Sequence, residues 1–249
     1  MSVFWYTQTT MNEMNPEYVN FAHFSFEHIA VFLLFAAIIV GAMLFYRRLD
    51  EGKRQKFLNA MAVLLIADEI WKHAGSLATG QWEPAFLPLH LCSINIFICV
   101  WYTLKKSDIL AEMLYALCLP GALIALLMPT WNDLPYWNFM SLHSNSVHIL
   151  LAMYPMLLIA GGFRPGIKRL PKVSLILFCE AVPIFFINKV LDTNFFFLNG
   201  TENNPLLELL AGIFGEKLYF IGILPILAAV WAAMYIPWYL IEKKKTKVQ

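Results

Sequence analysis

Apolar residues run along this chain in seven long blocks separated by short polar stretches. A membrane-crossing helix needs roughly 20 mainly apolar residues. The blocks that meet this need cover residues 29–46, 57–73, 86–104, 109–128, 138–161, 173–191 and 217–241. The pattern predicts an all-α fold, a polytopic membrane bundle of seven transmembrane helices over residues 29–241. Residues 1–28 hold Phe4, Trp5, Tyr6, Phe21, Phe24 and Phe26 but are too polar to span. Aromatic rings favour the headgroup level, so this segment is expected to lie at the interface. It has no basic n-region and no small-residue cleavage site, which argues against a cleaved signal peptide. Residues 242–249 make a short basic tail.

Composition agrees with this reading. The chain is 59% hydrophobic and 14% charged, where a soluble domain carries about 25% charge. Its net charge of +1 offers no basic footprint for nucleic acid. The placement of charge is more informative than its sum. Arg47, Arg48, Lys53, Arg54 and Lys56 follow the first block, and Lys105 and Lys106 follow the third. Arg164, Lys168, Arg169 and Lys172 follow the fifth, and the tail adds Lys243, Lys244, Lys245 and Lys247. These 15 of the 18 basic residues fall on one side of a seven-span chain. By the positive-inside rule the N-terminus is outside and the C-terminus cytoplasmic.

Ionisable groups inside a membrane are costly and mark function by default. Here they share one depth, the outer half. The second block ends with Asp68, Glu69, Lys72 and His73, and the third begins with His90, Cys92 and Asn95. The fifth begins with His143, Asn145 and His148, and the sixth ends with Asn188 and Lys189. A polar cavity toward the outer leaflet is expected. Spacing pairs Asp68 with Lys72 at i,i+4 and Glu69 with Lys72 and His73. It also turns His143 about 140° from His148. His90 and His148 stand out because both are read as lying away from helix ends. Cys92, Cys99, Cys118 and Cys179 form no C-x-x-C pair, so neither a disulfide nor a zinc ribbon is expected.

The run Leu87-Pro88-Leu89-His90-Leu91-Cys92-Ser93 resembles the signature of the YwaF-type bacterial integral membrane proteins. These are relatives of the eukaryotic transmembrane-protein-164 family of acyltransferases. Phe24-Ser25-x-x-His28, Gly80-x-Trp82 and Pro120-Gly121-Ala122 match in order along the chain. So do Ser141-x-His143-x-x-x-x-His148, Asn188, Asp192-Thr193-Asn194-Phe195 and Asn204-Pro205. The resemblance implies a multi-pass protein of a bacterial plasma membrane that transfers acyl chains between phospholipids, with a Cys nucleophile and a His partner. Carried over by type and order, those roles fall on Cys92 and His148, with His90 beside them. One position departs from the pattern. The eukaryotic branch has Cys directly before His, where this chain has Leu89 before His90; this leaves open a site that lacks the Cys nucleophile and uses His90 with His148, or a different chemistry.

The expected catalytic residues are therefore His90, Cys92 and His148. Asp68, Glu69, Lys72, Asn95, His143, Asn145, Asn188 and Asn194 are expected to bind substrate or support the site, with Asn95 or Asn145 donating to an oxyanion. The expected partners are membrane phospholipids, with no nucleic acid, and the sequence names no protein partner. This chemistry needs no cofactor and no metal. Two alternatives stay open. One is a metal-dependent lipid hydrolase using His90, His143 and His148, which lacks an H-E-x-x-H motif. The other is a transporter or receptor using the same polar cavity.

Overall fold

Backbone polar groups in hydrocarbon must find partners within the chain, and the described residues form helices and turns with no strand. The computed structural model describes residues 2–14, 17, 20, 23–129, 131, 133–202 and 204–246. Phe21 and Lys247, named above, lie outside them. The helices are α1 (Gln8–Met14), α2 (Phe26–Arg47), α3 (Glu51–Ala78), α4 (Leu91–Leu104), α5 (Asp108–Met113) and α6 (Leu119–Leu127). They continue with α7 (Phe139–Ala160), α8 (Leu170–Leu191), α9 (Pro205–Phe214) and α10 (Tyr219–Thr246). Among the described residues six segments are long and apolar enough to cross a membrane: Phe26–Arg47, Pro84–Leu104, Asp108–Leu127, Phe139–Ala160, Ile167–Leu191 and Tyr219–Ile241.

The remaining expected span is α3. Its 28 residues rise about 42 Å, but Asp68, Glu69 and Lys72 interrupt its apolar run. It starts at Glu51 and not near Phe57, because the Asp50 side chain caps it by accepting from Lys53 N at 2.9 Å. Lys53, Arg54 and Lys56 therefore stand on a helix and not in a loop. The third block is also shorter than expected. Pro84–Phe86 is a single 3-10 turn, and α4 begins only at Leu91. Pro88 disfavours a helical Leu87, whose ψ is 143°. His90 is consequently the residue capping α4, at φ −67° and ψ 151°, which corrects its expected place within a helix.

α7 is the central post, with α2, α3, α4 and α6 packed around it. Two proline breaks in this core are repaired by named donors. Pro120 lacks the N–H that would bond the Ala116 carbonyl four residues back, and Trp231 Nε1 on α10 donates to that oxygen at 2.8 Å. The backbone there widens into a π-helical segment, Leu114–Cys118, that joins α5 to α6. Pro155 likewise frees the Leu151 carbonyl, which accepts from Cys118 Sγ at 3.3 Å. Cys118 is thus a structural donor. At the basic end, the fully buried Glu112 carboxylate binds Arg169 Nη1 at 3.0 Å, Tyr235 Oη at 2.5 Å and Gly166 N at 3.1 Å. This node ties α5, α8 and α10 together.

The N-terminal segment docks on the protein as a clasp. Gln81 Nε2 donates to Trp5 O at 2.8 Å, and its Oε1 accepts from Thr10 Oγ1 at 2.5 Å. Asn138 Nδ2 donates to Val3 O and Tyr6 O, each at 2.8 Å. Gly75 admits the clasp, since a Cβ there would lie 3.1 Å from Phe139 and 3.2 Å from Trp5. Two acids outside the membrane complete the contact. Asp133 accepts from Gln8 Nε2 at 2.8 Å and Glu83 from Thr9 Oγ1 at 3.4 Å.

Burial pushes both of these carboxyls above the ordinary carboxylate range, and their hydrogen bonds pull them only part of the way back. An acid whose pKa is raised by docking stabilises the docked state fully at low pH and loses that contribution as pH rises through the raised value. Corrected hydrogen-exchange protection across residues 8–14 is therefore expected to grow from about pH 7 to about pH 5. Protection that stays flat or falls over that interval contradicts it.

Candidate functional site

The polar residues of α3 and α7 meet across one interface near the clasp. Asp68 Oδ2 lies 3.2 Å from His143 Nδ1, and Asp68 Oδ1 accepts from Ser146 Oγ at 3.0 Å. Lys72 instead pairs with Glu69, Nζ to Oε1 at 2.5 Å, and both side chains are almost fully buried. The expected Asp68–Lys72 pairing is corrected by this geometry. Asp68 looks outward to the next helix, which offers it a ring nitrogen and a hydroxyl at once. His73 Nε2 lies 3.4 Å from the same Glu69 oxygen, while its Nδ1 accepts from Trp82 Nε1 at 3.2 Å. The other Glu69 oxygen is buried without a hydrogen-bond partner.

Two further histidines lie next to these residues. His90 interacts electrostatically with Lys72 and with His148, and His148 with His143 and Asp68. His148 Nδ1 lies 2.6 Å from Ser144 O. A carbonyl accepts only, so Nδ1 carries the proton and Nε2 presents its lone pair as a base. His143 points instead to α3, as the angular separation along α7 predicts. Asp68, Glu69, Lys72, His73 and His143 thus form one charged group across α3 and α7, with His90 and His148 beside it.

The remaining expected residues stand apart from it. Cys92 is the second residue of α4, half-buried, and its electrostatic neighbour is Cys118. No hydrogen bond or ion pair joins it to His90 or His148. His90 does not cap α4 with its side chain, so the first-turn N–H groups beside Cys92 keep their donors free. Asn95 and Asn145 spend their amide donors on their own helices, on Leu91 O at 2.8 Å and Ser141 O at 2.9 Å. Asn95 is 1% exposed and its Oδ1 is unpartnered, so it is placed to accept a hydrogen bond. Asn145 also lines a cavity of about 20 Å³ between α6 and α7, with Ser141 and Ser144, room for one water.

Asn188 and Asn194 build a strap and do not face the charged group. Asn188 Nδ2 donates to Phe195 O and Asn199 Oδ1, each at 2.9 Å. Its Oδ1 accepts from Phe195 N at 2.8 Å and Thr193 Oγ1 at 3.2 Å. Asn194 bonds Gly200 O at 2.7 Å and Asn199 N at 2.9 Å. The strap bends through left-handed backbone at Asp192, Phe196, Phe197 and Glu202, a cost that persists only where the surroundings enforce it. It lays Phe195 edge-on to His90 at 5.0 Å and Phe197 at 6.0 Å. Spacing gave no hint of these rings at the site. The Phe195-Phe196-Phe197 run just past a span was the available signal.

Among the described residues no three of His, Cys, Asp and Glu converge in a way that can hold a metal ion. The metal-hydrolase alternative therefore finds no donor set in His90, His143 and His148.

No curated protein and no solved structure matches this chain. A family model does, over residues 23–235, from the turn before α2 to Tyr235 of α10. The match takes in every residue of the charged group, His90 with its two covering rings, and the Glu112 node. Since it covers far more than half of the sequence, the chain is a multi-pass helical membrane protein that belongs to the TMEM164 family.

Proposed function

We propose that this protein transfers acyl chains between membrane phospholipids, at the group formed by His90, His148, Lys72 and the Asp68–His143 contact. In this reading α3 is the seventh span, the N-terminus is outside, and the membrane is a bacterial plasma membrane. The distribution of basic residues supports the orientation, and the likeness of the Leu87–Ser93 motif to the YwaF-type proteins supports the source. The observation that carries the chemistry is His148, whose tautomer leaves Nε2 as a base beside a buried charged group.

The thiol version runs in two balanced halves. Cys92 Sγ bonds to the ester carbonyl carbon of the donor lipid as His148 Nε2 takes the thiol proton. The ester C–O bond breaks, the proton passes to the leaving alkoxide, and a lysophospholipid departs. The acceptor hydroxyl oxygen then bonds to the thioester carbonyl carbon as His148 takes its proton, the C–S bond breaks, and His148 returns the proton to the leaving sulfur. The free N–H groups at the start of α4 favour the negative charge of each tetrahedral intermediate. A one-step version, with His148 activating the acceptor hydroxyl directly, is favoured because no hydrogen bond joins Cys92 to His90 or His148 among the described residues.

Purified protein in vesicles of labelled phospholipid and lysophospholipid tests both. Acyl exchange that vanishes in Cys92→Ala and His148→Ala supports the thiol version. Loss in His148→Ala alone supports the one-step version. Absence of exchange by folded wild type across choline, ethanolamine and glycerol headgroups overturns the proposal.

A further inference from the structure

Between α8 and α10 the chain forms a helix that a simple outer loop would not contain. Asn204 Oδ1 accepts from Leu206 N and Leu207 N at 3.0 and 3.3 Å, and Pro205 opens α9. Asn at the cap followed by Pro at the first position is a strong helix start. Gly215, at φ 83° and ψ 155°, then turns the chain back.

α9 lies along the beginning of α10. Leu207, Leu210 and Tyr219 form a buried cluster, against which Ala211, Phe220, Ile223 and Ile226 pack. A Cβ on Gly222 would fall 2.7 Å from both Leu210 and Phe214. Ile226 stands about 10 Å of helix beyond Tyr219, well inside the membrane-crossing segment Tyr219–Ile241. α9 is therefore level with membrane-spanning residues of α10.

The other face of α9 is apolar and bare. Leu209 is 60% exposed and Ile213 65%. That surface runs on into the exposed Ile221 and Leu224 of α10. The only charged residue of α9, Glu208, is exposed at the edge of this face, where its carboxylate accepts from Thr201 Oγ1. An exposed apolar helix face needs an occupant, and this one is continuous with an exposed face of the membrane-crossing segment Tyr219–Ile241.

We propose that α9 is a re-entrant helix whose bare face is covered by lipid acyl chains of the leaflet on the N-terminal side. The far end of the strap over His90 is then anchored in lipid. This inference stands on packing and exposure alone and holds whether or not the protein transfers acyl chains.

Spin labels at Ile213→Cys and, separately, Leu209→Cys test it in a Cys179→Ser background, in phosphatidylcholine–phosphatidylglycerol vesicles. Label collision with oxygen is compared with collision with a water-soluble nickel chelate. Leu224→Cys serves as the lipid reference and Glu216→Cys as the water reference. The oxygen-to-nickel ratio at both test positions is expected to match Leu224 and to exceed Glu216 several-fold. A ratio matching Glu216 places α9 in water and overturns the proposal. Low collision with both reagents places protein over the face and overturns it equally.

Discussion

Replacing Lys72 by methionine is expected to destabilise the protein by about 3–5 kcal/mol, the cost of leaving one partner of a buried ion pair alone. Glu69 and Lys72 are 5% and 6% exposed, so water cannot take over the lost contact. The second Glu69 oxygen is already unpartnered, and His73 reaches the first only at 3.4 Å. The carboxylate would be stranded. Changing Glu69→Gln along with Lys72→Met removes both charges at nearly constant volume and is expected to recover most of the loss. Unfolding in mixed micelles by denaturing detergent, run as a double-mutant cycle, measures this. A Lys72→Met variant as stable as wild type would show the pair contributes nothing. Acyl exchange adds a second reading: a double variant that folds but does not turn over lipid assigns the Glu69–Lys72 pair to the site as well as to the scaffold.

That experiment matters because spacing along α3 offers Lys72 two partners, Asp68 and Glu69, and the structure takes only Glu69. Helical periodicity places Asp68, Glu69, Lys72 and His73 within reach of one another, and two of the contacts form as the offsets allow. It cannot weigh a partner on the same helix against one on the next. Asp68 goes to His143 and Ser146 because α7 brings two polar groups to it. The spans themselves were legible because long apolar runs need no tertiary information. The ends of those runs were less so. Asp50 carries the start of α3 back into what reads as a basic loop, and Pro88 holds Leu87 in extended backbone shortly before the helix that Leu91 begins. In both cases the responsible residue was visible, as a capping Asp and as a proline.

α9 was also written in the chain, by Asn204-Pro205 ahead of an apolar run and Gly215 behind it. It was hidden because its ten-residue apolar run is too short to cross a membrane. Cys118 shows what sequence withholds. Pro155 announces that the Leu151 carbonyl lacks its usual donor, but only packing reveals that a thiol from α5–α6 fills the place. The same holds for Trp231 and the carbonyl freed by Pro120. A family resemblance built on Cys92 and His148 likewise names residue types, whereas the contact between them is a matter of three dimensions.

Asn188→Ala is expected to release the strap over His90. The side chain is 1% exposed and makes four hydrogen bonds within the strap. Its orientation is unambiguous, since Phe195 N must donate to the oxygen and Phe195 O must accept from the nitrogen. Alanine leaves the peptide groups on both sides of the wholly buried Phe195 without partners, each at about 1–3 kcal/mol. The left-handed backbone at Phe196 and Phe197 then has less to enforce it. The loss is expected to be local, because the strap is joined to α8 and α9 at its ends while the α7-centred core packs independently. Hydrogen exchange across residues 193–202 should therefore accelerate by at least tenfold for each ~1.4 kcal/mol lost, with exchange in α7 unchanged. Asn188→Asp keeps the two accepting contacts but sets a buried carboxylate oxygen against the Phe195 and Asn199 oxygens, so at neutral pH it should release the strap at least as far as alanine does. Because Phe195 and Phe197 cover His90, its modification by diethylpyrocarbonate should rise in both variants. Strap exchange and His90 reactivity that both stay at wild-type values in the alanine variant would mean the aromatic cover is held by packing and not by Asn188.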